Sequence, residues 1–143
     1  MNCQEYRNIE LSVVKAFQDT IPASVTITDE EFGDHMTTPT VGVYMLNVSY
    51  RAFELGNSTD NDVFNFAAAV FANSRQERDY LTIYLYSKLK EWTVDLLDFG
   101  QNPVVSIGSL EITKPFAEPV RGAEVSTDKL LYNSLITFEL TYS

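Results

Sequence analysis

Val63-Phe64-Asn65-Phe66-Ala67-Ala68-Ala69-Val70-Phe71-Ala72, followed at once by Asn73-Ser74-Arg75-Gln76-Glu77, is the stretch on which the fold turns. In an extended chain Phe64, Phe66, Ala68 and Val70 share one face, and Asn65, Ala67, Ala69 and Phe71 share the other. Both faces are largely apolar, which predicts a central strand covered on both sides; the alanine run leaves a helix as the competing reading. The next residues predict a helix start. The Ser74 hydroxyl can accept from the amide three residues on while Glu77 reaches back to the N-cap amide, a capping box. Leu81, Tyr84, Leu85, Lys88 and Trp92 then recur at helical spacing, with Leu89 adjoining. Asp98-Phe99-Gly100-Gln101-Asn102-Pro103 closes that region in a turn.

Working outward, Glu5–Gln18 predicts an amphipathic helix with Tyr6, Ile9, Val13 and Phe17 on its stripe, stopping before Pro22. Ser24–Thr28 and Val41–Val48 are strand candidates on either side of an acidic, turn-like segment. Ser49–Asp62 is a long connection rich in turn formers. Val104–Thr113 predicts a strand. Lys114–Thr127 holds two prolines and Gly122 and predicts an irregular connection. Leu130–Tyr142 holds a period of two over Leu130, Tyr132, Ile136, Phe138, Leu140 and Tyr142, with Ser134 the polar member of that face. The expected fold is a single α+β domain over residues 1–143, a mostly antiparallel sheet of about four to five strands with two main helices packed on one face.

Composition narrows the function. The chain has 143 residues, enough for one core without a metal or disulfide. Its 45% hydrophobic content excludes a wholly disordered chain. A formal charge of −10 excludes a basic nucleic-acid footprint. The one cysteine, Cys3, allows no internal disulfide, and the one histidine, His35, leaves zinc and triad chemistry without partners. No phosphate-loop spacing occurs. Asp29, Glu30, Glu31 and Asp34 read as a solvated acidic loop, and Asn57, Asp60, Asn61 and Asp62 as turn residues without the EF-hand spacing. Arg75, Arg78, Lys88 and Lys90 are the one basic concentration, largely offset by Glu77 and Asp79. The N-terminus lacks the basic and apolar regions of a signal peptide, and the longest apolar run falls short of the ~20 residues that span a bilayer. No cofactor, metal or catalytic group is expected, nor a membrane partner.

One longer pattern is more specific. Phe53-Glu54-Leu55-Gly56, a polar loop, the strand Val63–Ala72 and then Ala72, Arg78 and Leu81 in an A-x-x-x-x-x-R-x-x-L arrangement are followed by a final strand at the C-terminus. This resembles the tail-terminator (tail-completion) group of neck proteins of tailed bacteriophages, over roughly Pro39 to Ser143. The resemblance implies a non-enzymatic virion protein, assembled in the host cytoplasm. Such a protein forms a ring, commonly a hexamer, that ends the tail-tube protein's polymer and meets the head connector or stopper. DNA would pass through without specific binding. A closed ring needs one patch docking on a different patch of the neighbour. Tyr50, Arg51, Phe53, Glu54 and Leu55 are the candidates for that interface, aromatic and Arg side chains being common anchors. Asp29, Glu30, Glu31 and Asp34 are the candidates for an acidic lumen that repels DNA phosphates. A connector adaptor, a head-completion protein and an acidic monomeric binding module stay open as alternatives.

Overall fold

The computed structural model describes residues 2–22, 25–28, 39–50, 62–120 and 132–142. These form helix α1 (Cys3–Thr20), strands β1 (Thr26–Thr28), β2 (Thr40–Tyr50) and β3 (Asp62–Ala72), and helix α2 (Arg75–Leu89). Strands β4 (Thr93–Asp98), β5 (Val105–Val120) and β6 (Tyr132–Tyr142) follow. The strands join in one curled, half-barrel sheet in the order β1-β2-β3-β6-β5-β4. All neighbours are antiparallel except β1 and β2, which run parallel.

The expectation of four to five strands is therefore corrected to six among the described residues. The additional strand is β4. Trp92 falls on the next position of α2's stripe, so the sequence pattern runs the helix straight into it. The helix instead ends at Leu89. The chain turns through Lys90 and Glu91, and Val94 and Leu96 then alternate with exposed Thr93 and Asp95, the period of a strand. Trp92 keeps a core role from the turn, its ring meeting Phe17 edge-on at 5.3 Å.

β5 also runs further than expected, through both prolines to Val120. Its pairing explains why. β4 pairs only with Val105–Glu111, so among the described residues the remainder of β5 has β6 on one side and no paired strand on the other. A proline's missing N–H is tolerated on such an edge. Pro115 also falls in a bulge between Thr113 and Phe116, where Lys114 takes a positive φ of 52°.

β3 lies between β2 and β6, and Phe64, Phe66, Ala68 and Val70 are fully buried on the helix-bearing face. They pair with Leu140, Phe138, Ile136 and Ser134 of β6. Both helices pack on this face. Phe17 of α1 stacks on Phe138 at 6.1 Å, and Phe138 stacks on Phe66 at 5.7 Å. Leu81, Leu85 and Leu89 of α2 join the same core. Burying one such side chain contributes roughly 1.5–3 kcal/mol. Ser134, the polar member of its face, meets the Thr82 hydroxyl of α2 at 2.5 Å. On the opposite face no second layer covers β3 among the described residues. Ala67 and Ala69 are buried there because they are small, lying between Tyr44 and Thr137, and between Gly42 and Leu135.

The caps differ in detail from the pattern. Ser74 accepts from the Glu77 amide at 3.2 Å, but the Glu77 carboxylate reaches the Asn73 amide, at 2.9 Å, one residue before the N-cap. The complete capping box belongs to α1. There Asn2 accepts from the Glu5 amide at 2.8 Å and Glu5 accepts from the Asn2 amide at 3.3 Å. Tyr6, placed on the buried stripe by spacing, is 38% exposed; Asn8 and Ser12 are buried beside Ile9 and Val13 instead.

Candidate assembly surface

A sheet edge presents unpaired backbone groups that invite another strand. On the β4 side, α1 closes that edge with side chains. The Ser12 hydroxyl accepts from the Leu97 amide at 3.0 Å and the Asn8 carbonyl oxygen accepts from the Phe99 amide at 3.0 Å. Asn8 also donates to an Asp98 carboxylate oxygen at 3.2 Å and accepts from Gln4 at 2.8 Å. Asp98 is held further by the Gln101 side chain and the Gly100 amide, both at 2.9 Å. Gln101 and Gly100, in that order, and then Asn8 hold its carboxyl below the ordinary 3.8, while burial acts the other way. The result is a polar clasp that fixes α1 on β4 and satisfies the Leu97 and Phe99 amides.

Beyond the clasp the surface is less finished. Val105 to Ser109 of β5 extend past the end of their pairing with β6 and, among the described strands, pair with β4. Val104, Val105 and Ile107 at this end are 45%, 37% and 53% exposed. No basic residue occurs between Thr93 and Thr113, whereas Asp95, Asp98 and Glu111 are acidic. Glu5 stands at the same end, lining with Ile107 and Leu96 a depression of about 310 Å³.

The outer side of α2 is likewise unfinished. Leu81, Leu85 and Leu89 take the inner side, which places Tyr80 and Ile83 outward, 64% and 63% exposed. Tyr80 stacks on Tyr84 at 6.2 Å, and Lys88 lies over the Tyr84 ring at 5.6 Å. Ile83 rims an open depression of about 380 Å³ with Arg78, Asp79, Thr82, Ala117, Glu118 and Ser134. Arg78 is paired to Asp79 at 3.0 Å.

The helix-free face carries a third, polar feature. Asn65 donates to Asn47 at 2.6 Å, and Lys114 stands 3.7 Å from Glu139 around a hollow of about 230 Å³. Among the described residues no three His, Cys, Asp or Glu side chains gather as a metal site requires, and no helix is long and apolar enough to cross a membrane.

The residues singled out from sequence fall mostly elsewhere. Asp29, Glu30, Glu31 and Asp34 lie outside the described residues, as do Arg51, Phe53, Glu54 and Leu55. Tyr50 is described only as backbone, the last residue of β2, paired with Asp62. Two features were missed. Asn8 and Ser12, at i and i+4 directly beside the apolar stripe, were a readable sign of a helix satisfying polar groups inward. Tyr80 and Ile83, apolar on the side of α2 opposite its leucines, were a readable sign of a helix with two apolar sides. Searches of protein-family models and of curated proteins find no match to this chain.

Proposed function

We propose that this protein is a structural component of a phage neck, a tail terminator that closes into a ring on the tail tube and meets the head connector. The observation that supports this most is the run from central strand β3 through Ala72 into the Ser74-capped α2 with Arg78 and Leu81. It is the stretch on which the resemblance rests, set in a single sheet with both helices on one face. The role is non-catalytic, located in the virion, and DNA passes the ring without specific contacts. Tyr50, Arg51, Phe53, Glu54 and Leu55 are proposed at a subunit contact. Asp29, Glu30, Glu31 and Asp34 are proposed at the lumen, where negative charge keeps phosphates from adhering.

Purified tail tubes test the reading. The terminator binds tube ends and halts elongation when subunits are supplied, and native mass spectrometry of the bound protein gives one closed stoichiometry. Binding to portal-side connector assemblies with no affinity for tubes would replace it with the adaptor role. Neutralising the four acidic residues impairs DNA passage while leaving assembly intact; loss of assembly instead would remove the lumen assignment.

A further inference from the structure

At one border of the sheet β1 is only three residues long, and at the other the α1 clasp satisfies the Leu97 and Phe99 amides. The second half of β5 has neither protection. Among the described residues, Ile112 to Val120 face β6 on one side and no paired strand on the other. Phe116, in the middle of that stretch, is 58% exposed. A long edge strand carrying an exposed aromatic ring is a template for strands of other molecules.

The backbone of this stretch works against such pairing. Pro119 stands opposite Ser134 in the ladder with β6. Antiparallel pairs alternate between exchanging two hydrogen bonds and exchanging none. A proline has no N–H, so the Pro119–Ser134 pair is of the second kind, and the proline nitrogen is directed to the unpaired side. By the same alternation Glu118 bonds to β6, while Ala117 turns its N–H and C=O outward. An incoming strand thus meets one complete backbone pair at Ala117 and, two residues on, a carbonyl without its donor. Two residues before Ala117 is Pro115, also without an N–H, inside the bulge between Thr113 and Phe116. Lys114 in that bulge has a φ of 52° and an exposed side chain, so a backbone twist and a charge interrupt the edge there.

We infer that Lys114, Pro115 and Pro119 form an edge guard, which lets β5 carry the exposed Phe116 without adding a strand from another molecule. The guard rests on the ladder register and on the missing donors, and is independent of the ring reading.

Hydrogen exchange on the full wild-type chain is the first test. The Ala117 amide should exchange several-fold faster than the Glu118 amide, which β6 protects. An Ala117 amide that exchanges no faster than that of Glu118 means that the edge is already covered, and overturns the inference.

The second test uses Pro119→Thr and the double variant Pro115→Thr/Pro119→Thr. Threonine returns the N–H and suits a strand without adding a large apolar side chain. Each chain is agitated without denaturant and followed by thioflavin fluorescence and by sedimentation. Pro119→Thr should form thioflavin-positive, sedimenting aggregate several-fold faster than the wild type, and the double variant faster still. Adding Phe116→Lys to the double variant should return the wild-type rate, because a charge replaces the exposed ring while the new N–H groups stay. Removing a proline also loosens the unfolded chain. Ser74→Ala, which weakens α2 and leaves β5 untouched, is therefore the control and should aggregate as the wild type does.

Proline variants that stay in solution as the wild type does overturn the inference. So does aggregation of Ser74→Ala at the rate of the proline variants, or aggregation that Phe116→Lys leaves unchanged. Should the proline variants fail to fold, the exchange of the Ala117 amide decides.

Discussion

α1 and α2 lie on the same face of one sheet, yet they are finished differently. α1 turns its apolar stripe inward and satisfies the edge of β4 with Asn8 and Ser12. Its outward side is polar, with the Arg7–Glu10 and Lys15–Asp19 pairs three and four residues apart. α2 turns three leucines inward and leaves Tyr80 and Ile83 to water. A helix with one apolar side buries that side within its own chain, whereas a helix with two leaves one of them in water. α1 is thus finished within its own chain, whereas α2 leaves two large apolar side chains exposed.

The largest effect should come from the core that both helices share. Phe138→Ala removes the ring lying between Phe17 and Phe66 and should cost about 3–5 kcal/mol in urea unfolding. A loss confined to one helix, leaving the other's amides protected, would break the view that they share one cooperative core.

Next is the clasp. Asn8→Ala leaves the Phe99 amide without its acceptor, removes one of the donors to Asp98 and should cost about 1–3 kcal/mol. Hydrogen exchange should rise first at Phe99 and Leu97, with α2 unaffected. Equal acceleration in α2 would erase the distinction between the two helices.

The α2 cap comes third. Ser74→Ala removes the acceptor for the Glu77 amide and should cost about 1 kcal/mol. The α2 amides should exchange faster while the clasp stays intact.

A smaller effect is set by pH. Asp98 has its carboxyl lowered in the folded state, so its contribution is present above the ordinary Asp value and is lost as pH falls through the lower folded value. Comparing Asp98→Asn with the wild type between about pH 5 and about pH 2 should show the wild type losing stability more steeply. Parallel curves would remove the carboxylate from the clasp.

The smallest change in stability belongs to the outer side of α2. Ile83→Asp should alter the urea midpoint by less than about 0.5 kcal/mol, since the side chain is exposed. A large loss of stability would mean that Ile83 serves the fold, and would close the difference between the helices.

Periodicity and local chemistry were enough for much of this molecule. The alternation in Val63–Ala72 and in Tyr132–Tyr142, the Ser74 start of α2 and the leucines of its inner side are local patterns found in place, although among the described residues β3 is covered on one face and not on the two its sequence predicts. Only the tertiary structure decided the rest. Trp92 continued a helical pattern, but pairing with β5 turned the residues after it into β4. Pro115 and Pro119 argued against a strand, but among the described residues that part of β5 has a paired neighbour on one side alone, and a missing amide costs little on the other. Asn8 and Ser12 lie beside the apolar stripe of α1, and the amides of Leu97 and Phe99, about ninety residues away, are their donors. Spacing along the chain reports which side of an element is apolar; which edge, amide or neighbouring molecule meets that side is fixed by residues far away in sequence.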